Sequence, residues 1–179
     1  MINRLKTATF LFMLLGAVSS NVKAQSKDMN LALSFGAIVP TGSFSSTHIA
    51  GLSAQYAPAR HVFGRVKLKK FALTYNAGLA YYLGKKETVS NYPYKYPNYL
   101  FIHAFGGVFY KLDKKTEIAL TAGPAAGIYN GNTRFNFGSQ LDINYYINNK
   151  VALGPRMILM KEHGAAALWA GALTATLKL

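Results

Sequence analysis

The stretch that most constrains this chain is Thr133 to Ile147, Thr-Arg-Phe-Asn-Phe-Gly-Ser-Gln-Leu-Asp-Ile-Asn-Tyr-Tyr-Ile. From Phe135 its odd positions are Phe135, Phe137, Leu141, Ile143, Tyr145 and Ile147, broken only by Ser139. Its even positions are Arg134, Asn136, Gly138, Gln140, Asp142, Asn144 and Tyr146. Successive side chains of a strand point to opposite faces, so a repeat of two predicts a β-strand with one apolar and one polar face. The polar face carries amides more than charges, which is unusual for a face turned to bulk water. The fold therefore depends on which face points inward.

The same repeat recurs along the chain. Residues 29–39, 47–57, 70–83, 98–111, 116–129, 151–161 and 165–179 read as further strands, so eight are expected in all. Pro40-Thr41-Gly42-Ser43, Asp113-Lys114-Lys115, Asn148-Asn149-Lys150 and Glu162-His163-Gly164 separate them, and Asn130-Gly131 is the strongest hairpin-turn dipeptide. Residues 84–97 form the longest expected loop, and in the basic connection 58–69 the alternation slips phase, as at a bulge. Strand 98–111 has weak polarity contrast. Pro124 and Pro155 fall mid-strand, each after a glycine, and each removes a ladder donor, so a local bulge is expected at both. No helical period and no βαβ spacing occurs. An even number of antiparallel strands can close on itself and abolish its edges.

Residues 1–24 read as a secretory signal. Arg4 and Lys6 form a basic start, Ala8 to Val18 an apolar core too short to span a bilayer as a helix, and Val22-Lys23-Ala24 a cleavage site. Residues 25–179 are then the barrel domain, and losing Arg4, Lys6 and Lys23 takes the formal charge from +14 to +11. The absence of cysteine excludes disulfides, thiolate metal sites, a cysteine nucleophile and a lipid anchor on cysteine.

Alternation alone fits two opposite barrels: a soluble one with its apolar face inward, and a membrane barrel with its apolar face in lipid. Three features favour the membrane barrel. Charge is confined to turns and strand ends, apart from Asp142 and Arg156. The strands are longer than the ~5–6 residues of soluble sheets and suit the ~9–11 tilted residues that cross a bilayer. Aromatics gather near strand ends, Tyr56, Phe71, Phe109, Tyr110, Tyr145 and Tyr146 at one rim and Tyr81, Tyr99, Phe101, Tyr129, Phe135 and Trp169 at the other, as in interfacial girdles.

The leader, the segment Gly-Ala-Ile-Val-Pro-Thr-Gly-Ser-Phe at 36–44 and the eight hairpin-linked strands together resemble the small bacterial outer-membrane β-barrels, the eight-stranded porin-like and OmpX-like class. The resemblance implies an eight-stranded antiparallel up-and-down transmembrane barrel, outer-membrane residence and delivery by the barrel assembly machinery. Such chains usually end in an aromatic residue, whereas this one keeps the alternation but ends in Leu179.

A three-residue turn at 148–150 would bring Asp142 opposite Arg156 inside the barrel, where a charge pair neutralises itself. Gln55, Asn76, Arg134, Asn136, Gln140 and Asn144 are expected to extend this polar lumen. Phe135, Phe137, Leu141, Ile143, Tyr145, Leu173 and Leu177 are expected to face lipid. His48, His61, His103 and His163 have no metal-type spacing, so neither metal nor cofactor is expected. His103, mid-strand and without a nearby serine or carboxylate in sequence, reads as packing or interfacial placement, not catalysis. Lys85, Lys86 and Lys95 fall outside the membrane, where lipopolysaccharide phosphates are a possible partner and plain solvation the simpler reading. Nucleic-acid binding is not expected, and the barrel reads as a monomer with an envelope-structural or surface-interaction role. The alternatives are a narrow porin-like channel, a soluble exported barrel carrying a hydrophobic ligand, and a lipid-modifying enzyme using His103.

Overall fold

A computed structural model describes residues 31–58, 71–89, 91–161 and 167–179. The expected signal sequence, most of the basic connection with its expected bulge, and the expected Glu162-His163-Gly164 turn lie outside the described residues. The elements are β1 (Leu31–Thr41), a short 3-10 turn η1 (Gly42–Ser46), β2 (His48–Pro58), β3 (Phe71–Gly84), β4 (Lys86–Val89), β5 (Tyr92–Lys95), β6 (Tyr99–Lys111), β7 (Thr116–Tyr129), β8 (Asn132–Tyr146), β9 (Val151–Lys161) and β10 (Leu168–Lys178).

Eight of these strands form a closed antiparallel barrel in the order β1-β10-β9-β8-β7-β6-β3-β2. β1 and β10 pair from Ala32↔Lys178 to Thr41↔Trp169, and the Leu179 amide donates to the Leu31 carbonyl at 2.7 Å. With every edge paired, the wall leaves no unsatisfied strand. The even strand count puts Leu31 and Leu179 at one rim, here the terminal rim, together with the turns at 112–115 and 147–150. The hairpin rim carries η1, β4–β5 and the Asn130-Gly131 turn. Asn130 and Gly131 both adopt positive φ (49° and 75°), the backbone that a two-residue hairpin requires.

Residues 84–97, expected to be a loop, instead form the hairpin β4–β5, in which Lys86 pairs with Lys95 and Val89 with Tyr92. Short β-prone runs flank Asn91, whose φ of 68° supplies the turn. The hairpin is tied to the wall: Lys85 N donates to Thr47 O at 2.8 Å and Gly84 N to Asn98 Oδ1 at 3.0 Å. A real register shift occurs elsewhere, at the start of β2, between His48 and Gly51.

The bulges expected at Pro124 and Pro155 do not occur. Pairing of β6 with β7 lapses between His103↔Ala125 and Gly106↔Ala122 and resumes in the same register. Pairing of β8 with β9 lapses likewise between Asp142↔Arg156 and Tyr145↔Leu153. A strand residue aims its N–H and C=O at one neighbour only, so each proline costs a donor on one side. On the other side the ladders run on, through Pro124↔Phe137 and Leu173↔Pro155. Both rings stand on the exposed outer wall, where they meet no strand.

Candidate functional site: the lumen and its rims

The wall divides the side chains as the period of two requires. On β8, Phe135 (75% exposed), Phe137, Leu141 and Tyr145 point outward, with Ile143 partly covered between them; on β10, Leu173 and Leu177 are outward too. Gln140, Asp142 and Arg156 point inward and are almost fully buried.

The 148–150 turn sets that pairing. Asn148 Oδ1 accepts from the amides of Lys150 and Val151, both at 2.8 Å, and Ile147 N donates to Val151 O at 3.0 Å, which leaves three residues in the turn. Asp142 is then the cross-strand partner of Arg156. Arg156 Nε donates to Asp142 Oδ1 at 2.5 Å, and its Nη2 to Ser34 Oγ at 2.9 Å across the lumen. Gln140 Nε2 donates both to Asp142 Oδ2 and to Gln55 Oε1, the latter at 2.8 Å. Asn76 Nδ2 donates to Thr121 Oγ1 at 2.9 Å. Six strands are thus cross-linked by polar side chains in the terminal half of the lumen. Enclosed bonds of this kind, the Arg156–Asp142 one charge-assisted, favour one geometry because losing any of them leaves a further polar group unmet beside Asn76 Oδ1 and Gln140 Oε1.

Nearer the terminal rim, Tyr146 Oη donates to Glu117 Oε2 at 2.8 Å and Lys178 Nζ stands 3.6 Å over the Tyr146 ring. Thr176 Oγ1 reaches Asn144 Oδ1 at 3.5 Å. These groups, with Phe109 and Arg156, line a cavity of about 80 Å³. Asn136 is half-buried on the inward face, two residues before Gly138.

The expectation of a polar lumen holds for this half only. The other half is filled by Ile38, Tyr82, Phe101, Phe105, Ile158 and Met160, all at most 2% exposed. Phe44, carried on η1, drops into the same cluster, its ring 4.9 Å from Tyr82 and 5.5 Å from Tyr99. The girdle assignment therefore fails for Tyr99, Phe101, Phe109, Tyr129 and Tyr146, which face the lumen. Aromatic residues near a strand end read alike from either face. In β6 the inward row, Tyr99, Phe101, His103, Phe105, is as apolar as the outward one, which is why its polarity contrast was weak.

Arg134 is also placed differently. It lies on the inward side of β8 but beyond the plug, exposed at the hairpin rim, and does not join the Asp142 network. There it lines an open cavity of about 260 Å³ with His48, Tyr99, Tyr129, Asn132 and Leu168.

At the waist, between the two halves, β6 alone supplies the filling rings. His103 stacks between Phe101 (5.3 Å, 22°) and Phe105 (4.5 Å, 32°), with both ring nitrogens unbonded among the described residues. β3 and β8 make room with glycine: a Cβ on Gly78 would stand 2.9 Å from His103 Cε1, and one on Gly138 would stand 2.7 Å from Phe105 Cζ. His103 is enclosed by rings, and among the described residues no serine or carboxylate is bonded to it.

No protein-family model matches this chain, and no curated protein matches it. Solved structures do. The outer membrane protein Ail of Yersinia pestis in a phospholipid bilayer nanodisc superimposes with a TM-score of 0.56 at 8% identity, covering 85% of this chain and 100% of Ail. The fold is that of the small eight-stranded outer-membrane β-barrels. Crystalline Ail in complex with the heparin analogue sucrose octasulfate gives the same TM-score of 0.56 at 8% identity, over 85% of this chain and 99% of Ail. A de novo designed transmembrane β-barrel gives 0.51 at 14% identity, over 87% of this chain and 99% of the design. At such identities what is shared is the barrel. For an outer-membrane-type barrel the outer wall is also apt: Phe35, Leu52, Leu79, Val108, Leu120 and Met157 are all exposed on it, an apolar surface far larger than water-soluble monomers carry.

Proposed function

We propose that this protein is an integral barrel of the bacterial outer membrane, with an envelope-structural or surface-interaction role and a lumen that does not conduct at neutral pH. The observation that carries this is the filled waist: an eight-stranded barrel has room for side chains and little else, and here Phe101, Phe105, Ile158 and Met160 occupy it at no more than 2% exposure. The same observation weighs against the narrow porin-like channel. Phe135, Phe137, Leu141, Ile143, Tyr145, Leu173 and Leu177 then meet lipid, which weighs against a soluble carrier. Recording from purified barrel in planar bilayers at pH 7.5 tests the first point: a silent membrane is expected, and regular single-channel steps would refute the closed lumen. Extraction tests the second, since protein that leaves membranes in aqueous buffer is no integral barrel.

The surface role is supported by the β4–β5 hairpin. Lys86 and Lys95 are direct cross-strand partners and Lys85 precedes them. Like charges placed opposite each other destabilise an isolated hairpin, so an anionic surface beside them, such as lipopolysaccharide phosphate, would relieve the repulsion. With the termini in the periplasm, this hairpin stands on the outer side. Lys86→Glu with Lys95→Glu should weaken binding to lipopolysaccharide micelles relative to wild type, and unchanged binding would refute the assignment. Delivery by the barrel assembly machinery and a monomeric state complete the reading.

A further inference from the structure

We infer that the cavity at the hairpin rim is a binding site for a small aromatic acid, a single ring that carries a carboxylate. This gives the surface-interaction role a ligand, and rests on that reading only for the side from which the ligand arrives. The cavity has a volume of about 260 Å³ and is graded in polarity. Phe44, His48 and Tyr99 make its floor, each at most 4% exposed, whereas Asn132 and Arg134 stand exposed at its mouth. Phe44 belongs to the same buried cluster as Phe101 and Ile158, so the cavity ends on the plug.

The floor suits a ring. His48 stands 6.1 Å from both Tyr99 and Tyr129, at 78° and 62°, and Phe44 stands 5.5 Å from Tyr99 at 75°. Rings at these separations and angles meet edge to face, and a further ring entering the cavity extends the same pattern. The His48 nitrogens are already engaged, Nδ1 with Thr47 Oγ1 at 2.8 Å and Nε2 with the Pro97 carbonyl at 3.2 Å. A sugar, with hydroxyls on every side, would leave some of them unmet against this floor. At the mouth Arg134 supplies a permanent positive charge, and the described lining includes no acid. A guanidinium has five donors in a planar fork, so it can take a carboxylate and still serve another group. The walls are held before any ligand arrives. Lys85 N donates to Thr47 O at 2.8 Å and Tyr96 N to Lys85 O at 2.9 Å, which anchors the β4–β5 hairpin beside Thr47 and His48. A site fixed in this way loses little to ordering when it binds.

Ligand-observed NMR on the barrel in lipid nanodiscs, with empty nanodiscs as the blank, tests this with benzoate as the probe. Binding is expected with a Kd on the order of 1 mM. Benzamide has the same shape without the charge, and acetate has the charge without the ring. Each should bind at least about tenfold more weakly than benzoate. Arg134→Gln should weaken benzoate about tenfold and leave benzamide unchanged, a split that damage to the cavity would not give. Tyr129→Ala, at the partly exposed edge of the cavity, should weaken both ring compounds. Heat-modifiable gel mobility confirms that each variant is folded. Benzoate held no better than by the blank would overturn the inference. So would Arg134→Gln binding it like wild type, or glucuronate binding more tightly than benzoate. None of these results bears on whether the barrel conducts or leaves membranes in aqueous buffer, so failure here is distinct from failure of the closed integral barrel.

Discussion

Breaking the Asp142–Arg156 pair should be far more harmful than removing it. The two side chains are 6% and 3% exposed and bonded at 2.5 Å. In Arg156→Met, Asp142 keeps the Gln140 amide but loses its cation, while Ser34 loses the guanidinium. In Asp142→Leu, the guanidinium keeps Ser34 and little else. Each single change leaves one buried charge uncompensated, which costs about 3–5 kcal/mol. The double variant removes both charges and fills the space with apolar groups of similar size, a replacement that is often neutral or even stabilising by about 1–4 kcal/mol. The singles together would therefore cost about 6–10 kcal/mol if independent, against roughly zero for the double, a coupling well above the few tenths expected of independent sites. Urea unfolding in micelles, followed by heat-modifiable gel mobility, measures all four proteins. If the double variant loses the sum of the singles, the pair is not an isolated charge couple and the account of the lumen network is wrong.

Other outcomes follow from individual positions. Gly138→Ala places a Cβ 2.7 Å from Phe105 Cζ, and Phe105 is itself fully enclosed, so overpacking should cost about 1–3 kcal/mol; Gly171→Ala, with nothing within 4 Å, should not destabilise the same unfolding transition. Tyr146→Phe removes the bond to Glu117 while leaving the ring under Lys178, so a loss of about 1 kcal/mol is expected in the same assay. In the terminal-rim turn, the backbone amides of Lys115 and Thr116, at 2.6 and 2.8 Å, hold the Asp113 carboxyl below the usual carboxylate range. A lowered carboxyl stabilises the turn above its unfolded value and ceases to do so as the pH falls below about 4. Hydrogen exchange at Lys115 and Thr116 should therefore lose protection in wild type only as the pH falls through that lowered value, beneath the ordinary 3.8, and be unprotected at every pH in Asp113→Ala.

The architecture was readable because the wall imposes one rule on every strand. Each barrel strand begins and ends within a few residues of its alternating segment, and the Asn148 turn fixes a register that places Asp142 beside Arg156. What was not readable concerns residues whose chemistry suits either face. Tyr99 and Phe101 satisfy an interfacial girdle and a packed lumen equally well, so rim position misassigned them. β6 gave a hint in its two apolar rows, since an inward apolar row means a plug. Arg134 shares the inward parity of Gln140 and Asp142, but parity says nothing of height along the axis, and height places it at the mouth. The prolines failed differently, because a missing donor disturbs one neighbour only and needs no bulge.

That the three stacked rings Phe101, His103 and Phe105 come from a single strand has a consequence for how such a molecule can change. The wall is the joint product of eight strands, and no single position can widen it. Its filling, in contrast, comes in part from alternate residues of β6 seated against Gly78 and Gly138. Shortening Phe101, His103 or Phe105 removes part of that filling without touching a ladder bond, while Ile158 and Met160 of β9 stay in place. The packing of the interior can thus vary through one stave of an unchanged cask.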